Sequence, residues 1–144
     1  MSAQHYKSKT VATWLALLSG SLGVHRFYLH GLNDKLAWLH AVPTLIGLYG
    51  VQRMDLLGQD DRLAWLLMPI LGLMLVQATI CGIVYGLTSD DKWAVQRNQP
   101  KRSSGWLAII GVIACVLIGS TLLMTTIAFS AQRYFESQEI SQAA

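Results

Sequence analysis

Four apolar segments separated by short polar connections dominate the chain. They cover residues 11–24, 36–51, 63–87 and 106–129. A bilayer core of about 30 Å takes about 20 helical residues. The third and fourth segments reach that length without a charged residue, and flanking residues extend the first two enough to span. The pattern therefore predicts an all-α integral membrane protein with four transmembrane helices in two antiparallel hairpins.

The polar connections divide the chain into three parts. We expect a first hairpin over residues 1–58, a second over residues 59–130, and a polar tail over residues 131–144 that frays. The two shorter segments also fit buried helices of a soluble core or a re-entrant pair, and the first also fits a cleavable signal peptide. We favour retained spans, because no hydrophilic surface elsewhere would cover these segments and no small-x-small cleavage site follows the first.

The composition indicates a lipid environment. Hydrophobic residues make up 53% and charged residues 13% of the chain, and the mean hydropathy is +0.40. Soluble domains carry about a quarter charged residues, and disordered chains are more polar still. The net charge of +3 is spread over short connections, so we expect no nucleic-acid partner. In the four-span topology five basic residues face six across the membrane, and the positive-inside rule predicts no orientation.

The first hairpin carries a linked set of motif residues. They are Lys9, Gly20, Gly23, the run His25, Arg26, Phe27, Tyr28 and Leu29, then Gly31 and, after the second segment, Asp55. Over about residues 9–57 this set resembles the two-transmembrane ("TM-two") domain family, called NINE proteins in bacteria. The resemblance implies two spans and a bacterial inner membrane, whereas the family's biochemical role is unsettled. His30 departs from the family pattern, which places glycine directly after the leucine.

The charged motif residues predict a clip and an anchor. Antiparallel helices place Arg26 and Asp55 at opposite membrane faces, so we expect Asp55 to pair with Lys9 across the hairpin. Arg26 then faces the third loop, and its candidate partners are Asp34, Asp90 and Asp91. His25, Arg26, Phe27 and Tyr28 either anchor the hairpin in the headgroup region or form a site for an anionic lipid headgroup or a protein partner.

Small residues at helical spacing predict close helix packing. Residues four apart on one helix face allow two backbones to approach within a membrane. We expect these stripes to pack the third helix on the fourth within one chain, with contacts between subunits as the alternative. The residues are Ala16 and Gly20 on the first helix, Ala78, Gly82 and Gly86 on the third, and Gly111, Cys115 and Gly119 on the fourth.

Two polar residues inside the apolar segments are candidates for function. We expect His40 to be a neutral imidazole bonded to a backbone carbonyl freed by Pro43, with a proton-carrying role as the alternative. Gln77 is expected to donate a hydrogen bond between helices. The histidines at positions 25, 30 and 40 have the wrong spacing for a metal site on one helix face, so we expect no metal.

The sequence predicts a protein without catalysis. No catalytic motif, phosphate-binding glycine loop or cofactor site is present in the sequence. We therefore expect a non-enzymatic membrane scaffold or partner-binding subunit that contacts lipid and either a second copy or another membrane protein. The alternative is a homo-oligomeric pore, for which Ser120, Thr121 and Thr125 would supply a thin polar stripe.

Overall fold

The computed structural model describes residues 6–143, and over these residues the chain is helical without strands. Every predicted apolar segment contains a helix, but the first segment is divided by a 3-10 turn at Gly20–Leu22. The helices are α1 (Lys9–Ser19), α2 (Val24–His30), α3 (Lys35–Leu57), α4 (Arg62–Leu87), α5 (Asp90–Arg97) and α6 (Trp106–Ala143).

Helix α4 lies at the centre of the bundle, with α3 and α6 packed antiparallel on either side of it. Gly47 of α3 faces Leu71, and Gly119 of α6 faces Thr79. Helix α1 lies over the groove between α4 and α6. Two of these helices, α4 and α6, are long and apolar enough to cross a membrane.

The first apolar segment folds back on itself. The Ser8 backbone N–H donates to the Tyr28 hydroxyl at 2.9 Å, and Lys7 Nζ donates to the Leu29 carbonyl at 2.6 Å. The start of α1 and the end of α2 therefore lie together. At the turn between them, Gly20 packs against Ala78. That contact is about 14 Å along α4 from its C-terminal end, or about half of a bilayer core.

This fold-back changes the predicted architecture. Two antiparallel two-span hairpins would separate the ends of the first segment by the full bilayer thickness, whereas the structure brings them together. The alternative of a re-entrant pair concerned the first and second segments together, whereas in the structure the first segment folds back on its own. The prediction of four spans is therefore not confirmed. The prediction of an all-helical protein is confirmed over the described residues.

Gly23 makes the reversal possible. Its φ is +79°, which is a conformation that favours glycine, and its N–H closes the turn on the Gly20 carbonyl at 2.9 Å. A side chain at this position would also run into the backbone carbonyl of Ala37 in α3. The turn therefore needs glycine for both its conformation and its close contact.

The predicted frayed tail is wrong over the described residues, because α6 continues as a helix to Ala143. An ion pair between Arg133 and Glu136 and the Arg133 guanidinium over the Trp65 ring support this extension. We call the end of the bundle that carries residues 6–9, 26–35 and 88–105 the α5 end. We call the opposite end, with residues 53–62 and 131–143, the tail end.

Candidate functional site

Lys9 and Asp90 form the central ion pair at the α5 end. Lys9 Nζ lies 2.7 Å from Asp90 Oδ1 and also donates to the Thr88 carbonyl at 2.8 Å. The predicted pair of Lys9 with Asp55 is therefore wrong. The fold-back keeps Lys9 at the α5 end, whereas Asp55 is exposed near the tail-end terminus of α3.

Asp90 is also held by the loop before α6. Its carboxylate accepts hydrogen bonds from the Ser104 hydroxyl at 2.6 Å and from the Ser104 backbone N–H at 3.1 Å. Hydrogen bonds from Lys9 and Ser104 lower the pKa of Asp90 to about 2. This carboxylate is thus ionised at physiological pH and joins α1, α5 and the start of α6.

Helix α5 covers the α5 end. It is a full helix within the third polar connection, and it begins after the Ser89 cap. The Trp93 side chain is buried and donates from Nε1 to the Lys7 carbonyl at 2.8 Å. Its ring meets Tyr85 of α4 at 6.0 Å between centroids. Trp93 thereby packs α5 against the N-terminus and α4.

The motif run on α2 sends its side chains in different directions. Arg26 pairs with Asp34 at 2.9 Å, and the Asp34 carboxylate also accepts a hydrogen bond from the Leu36 N–H. Desolvation raises the pKa of Asp34, but these two hydrogen bonds outweigh it, and the pKa is lowered. Phe27 packs edge-on against Trp38, and the Tyr28 hydroxyl accepts from the N-terminal segment. His25 points into the bundle. His25, Arg26 and Tyr28 therefore do not converge on one headgroup site.

A comparison with known protein families gives a match for the N-terminal part of the chain. Residues 5–57 match the TM2 domain. The match covers more than a third of the chain and confirms, over these residues, the resemblance predicted from the motif residues. Neither the curated proteins nor the solved structures yield a match. The TM2 match and the two apolar helices indicate a small membrane protein.

The structure brings the two candidate polar residues of the interior together. In the TM2 domain, His40 Nδ1 lies 2.6 Å from the Leu36 carbonyl, and His40 Nε2 lies 2.8 Å from the Gln77 amide nitrogen. These partners assign a tautomer in which Nδ1 donates and Nε2 accepts. The carbonyl is that of Leu36, and not the one freed by Pro43. Nearby, the Thr44 hydroxyl donates to the Ser21 carbonyl at 2.6 Å and ties the hairpin turn to α3.

His25 is the unusual residue of the TM2 domain. Its side chain is fully buried, and neither ring nitrogen has a hydrogen-bond partner among the described residues. The ring lies 5.7 Å from the rings of His40 and Tyr85, measured between centroids. Sequence reasoning placed this histidine in the headgroup region, and only the two preceding glycines signalled a turn that would carry it inward.

The predicted small-residue stripes pack within the chain. Gly82 lies against Cys115 and Ala16, and Gly86 lies against Val112. Gly119 lies against Thr79, and Gly111 lies against α1. Ala78 lies against Gly20. The sequence missed two further close contacts, in which Gly47 and Gly50 of the TM2 domain meet α4 at Leu71 and Leu67. Among residues 6–143 no group of three or more potential metal ligands forms.

Proposed function

We propose that this protein is a non-enzymatic membrane scaffold or partner-binding subunit that acts through its helix faces. The supporting observation is the outer face of α6, where large apolar side chains are exposed over the length of the bundle. The proposed partner is another membrane protein, which would pack on this face. The exposed residues include Ile109, Ile113, Leu117, Met124 and Ile127.

The internal hydrogen bonds favour this proposal over a pore. The hydroxyls of Ser120, Thr121 and Thr125 donate to carbonyls four residues earlier in α6. His40 and Gln77 bond to each other. These groups therefore already have hydrogen-bond partners within the chain.

We also propose a topology of three crossings, made by α3, α4 and α6, with the start of the TM2 domain as a re-entrant hairpin. This topology places eight of the eleven Lys and Arg residues at the α5 end and three at the tail end. Short loops with an excess of Lys and Arg stay in the cytoplasm. The α5 end would therefore face the cytoplasm of a bacterial inner membrane, with the end of α6 outside.

A flux assay tests the scaffold against the pore. The purified protein is reconstituted into liposomes loaded with an ion-sensitive dye, beside His40→Ala and Gln77→Leu variants. We expect no flux above that of empty liposomes for any of the three. Flux from the unmodified protein that either variant abolishes would overturn the scaffold proposal.

Photo-crosslinking in cells tests the partner surface. A crosslinking amino acid is placed at Leu117 or Met124 on the exposed face, and at Ala108, which is buried, as the matched control. Discrete protein adducts from the first two positions and none from Ala108 are expected. Adducts with lipid alone at both exposed positions would contradict a partner on this face.

Cysteine labelling tests the topology. In a background with Cys81 and Cys115 replaced by Ala, S103C reports the α5 end and S137C reports the tail end. We expect a membrane-impermeant maleimide to label S137C in intact spheroplasts and S103C only after lysis. The reverse pattern, or labelling of both before lysis, would refute the proposed orientation.

A further inference from the structure

Charge is divided unequally between the two ends of the bundle. The α5 end carries eight basic and three acidic residues, whereas the tail end carries three basic and five acidic residues. The formal charges are therefore +5 and −2, which together give the net +3 of the chain. A partner with negative charge would be attracted to the α5 end.

The three carboxylates at the α5 end are already held by cations. Asp34 pairs with Arg26, Asp90 pairs with Lys9, and Asp91 pairs with Lys101. Five basic residues at this end form no ion pair within the described part of the chain. They are Lys7, Lys35, Lys92, Arg97 and Arg102.

Two of these five cations converge on one neutral acceptor. Lys7 Nζ donates to the Leu29 carbonyl at 2.6 Å, and Arg97 donates to the same oxygen at 3.1 Å. Two positive charges thus lie within about 6 Å of each other, where like charges repel. Burial, with a smaller contribution from Arg26, lowers the pKa of Arg97. The single Leu29 carbonyl carries no full negative charge, so it does not neutralise the two cations. An anion bound between Lys7 and Arg97 would offset their mutual repulsion.

Aromatic side chains at the α5 end indicate that the pair lies near the headgroup level of a membrane. Lys7 lies two residues before the start of α1, and the Arg97 guanidinium lies over the face of Trp93 at 5.3 Å from the ring centroid. Tyr6 and the exposed Trp106 mark the same level, because amphipathic rings favour the headgroup region. Both cations are half-buried and so stay within reach of a ligand from the surface.

We propose that Lys7 and Arg97, held together at the Leu29 carbonyl, bind the phosphate of an anionic phospholipid headgroup. Arg97 supplies a planar fork of donors and Lys7 a compact positive charge, and both are established ligands of phosphate. The remaining cations of the α5 end add long-range attraction to an anionic leaflet.

Native mass spectrometry of the detergent-solubilised full chain tests this site. Phosphatidylglycerol and phosphatidylcholine with identical acyl chains are titrated in parallel. Two basic residues near an anionic membrane surface predict a preference of about thirtyfold for phosphatidylglycerol. We expect Lys7→Gln/Arg97→Gln to remove most of this preference and Lys7→Arg/Arg97→Lys to retain it.

Lys92→Gln/Arg102→Gln is the matched control. It removes the same charge from the same end without touching the Leu29 carbonyl, and we expect it to change the preference less than twofold. An equal loss in both double variants would mean diffuse surface charge and overturn the site. Glycerol phosphate binding as tightly as the lipid, or a glutamate-rich peptide displacing the lipid, would assign the site to a soluble anion or to a protein.

Discussion

The α4–α6 seam and the α1–α2 hairpin are held together by different chemistry. At the seam, glycines and small side chains such as Gly82 and Cys115 let two long helices pack closely. The α1–α2 hairpin is held at its open end by polar contacts between distant residues, above all Lys9 with Asp90 and Trp93 with the Lys7 carbonyl. Hydropathy and small-residue spacing therefore predict the seam and miss the hairpin.

The largest effect is expected at the seam. A Cβ atom at Gly82 would lie 2.6 Å from Cys115 Sγ, so Gly82→Leu adds four carbons where α1, α4 and α6 meet. Overpacking of this kind costs about 3 kcal/mol or more, and we expect loss of the folded protein. Thermal unfolding in detergent measures it. Gly105→Leu, in open space, should lower the melting temperature little.

The next largest effect is expected at the hairpin turn. Gly23→Ala introduces a side chain at positive φ and against the Ala37 carbonyl, so we expect a loss of about 2–3 kcal/mol. Gly31→Ala is the control for backbone strain alone, because its Cβ would meet nothing within 4 Å. Its φ of +87° and ψ of 176° also favour glycine, and we expect a smaller loss than for Gly23→Ala because no contact is overpacked. Equal losses in urea or thermal unfolding would show that the contact with α3 is unimportant.

The polar contacts of the hairpin should have a smaller effect. Asp90→Asn weakens the bonds from Lys9 and Ser104, and for a partly exposed pair we expect a loss of about 1–2 kcal/mol. Asp55→Asn, which removes the sequence-predicted partner instead, should leave the unfolding midpoint unchanged. A larger effect from Asp55→Asn than from Asp90→Asn would reinstate the original pairing.

This contribution has a defined pH dependence. The pKa of Asp90 is about 2 in the folded state, against an ordinary value of 3.8 for an aspartate, so its contribution is fully present above about pH 4. It is lost as the pH falls through 2, because the protonated acid no longer pairs with Lys9. The stability gap between the unmodified protein and Asp90→Asn should therefore be constant from about pH 7 to about pH 5 and shrink below about pH 4.

The smallest effect is expected at His25. Since neither ring nitrogen has a partner among the described residues, His25→Leu removes no hydrogen bond and should leave stability unchanged or slightly raised. His40→Leu, by contrast, strands the Gln77 amide and should cost about 1–2 kcal/mol. Thermal unfolding of both variants decides this, and a greater loss from His25→Leu would reveal a partner for that ring.

The sequence predicts much of the fold, because the physical signals of the seam are local. Long uncharged runs give α4 and α6, glycines four residues apart give their packing faces, and the motif residues give the TM2 domain. Gln77 reads as an interhelical donor because an amide inside an apolar helix needs a partner.

The fold-back is not predictable from the same signals. Residues 11–24 carry no charge, and the serines and glycines at residues 19–23 also occur inside transmembrane helices, so the sequence does not distinguish a turn from a span. Once the first segment is assumed to cross, Lys9 is placed at the wrong end and Asp55 becomes its nearest carboxylate. The inward direction of His25 and the helical tail are missed for related reasons, because each depends on tertiary contacts and not on local polarity.

In the proposed topology the molecule is wider in one membrane leaflet than in the other. Five helical segments occupy the leaflet at the α5 end, because the turn between α1 and α2 lies near the midplane, where Gly20 contacts Ala78 of α4. Only α3, α4 and α6 continue through the opposite leaflet. Such a wedge displaces more lipid on one side than on the other, and it would sit with least strain where the membrane bulges toward its wider half.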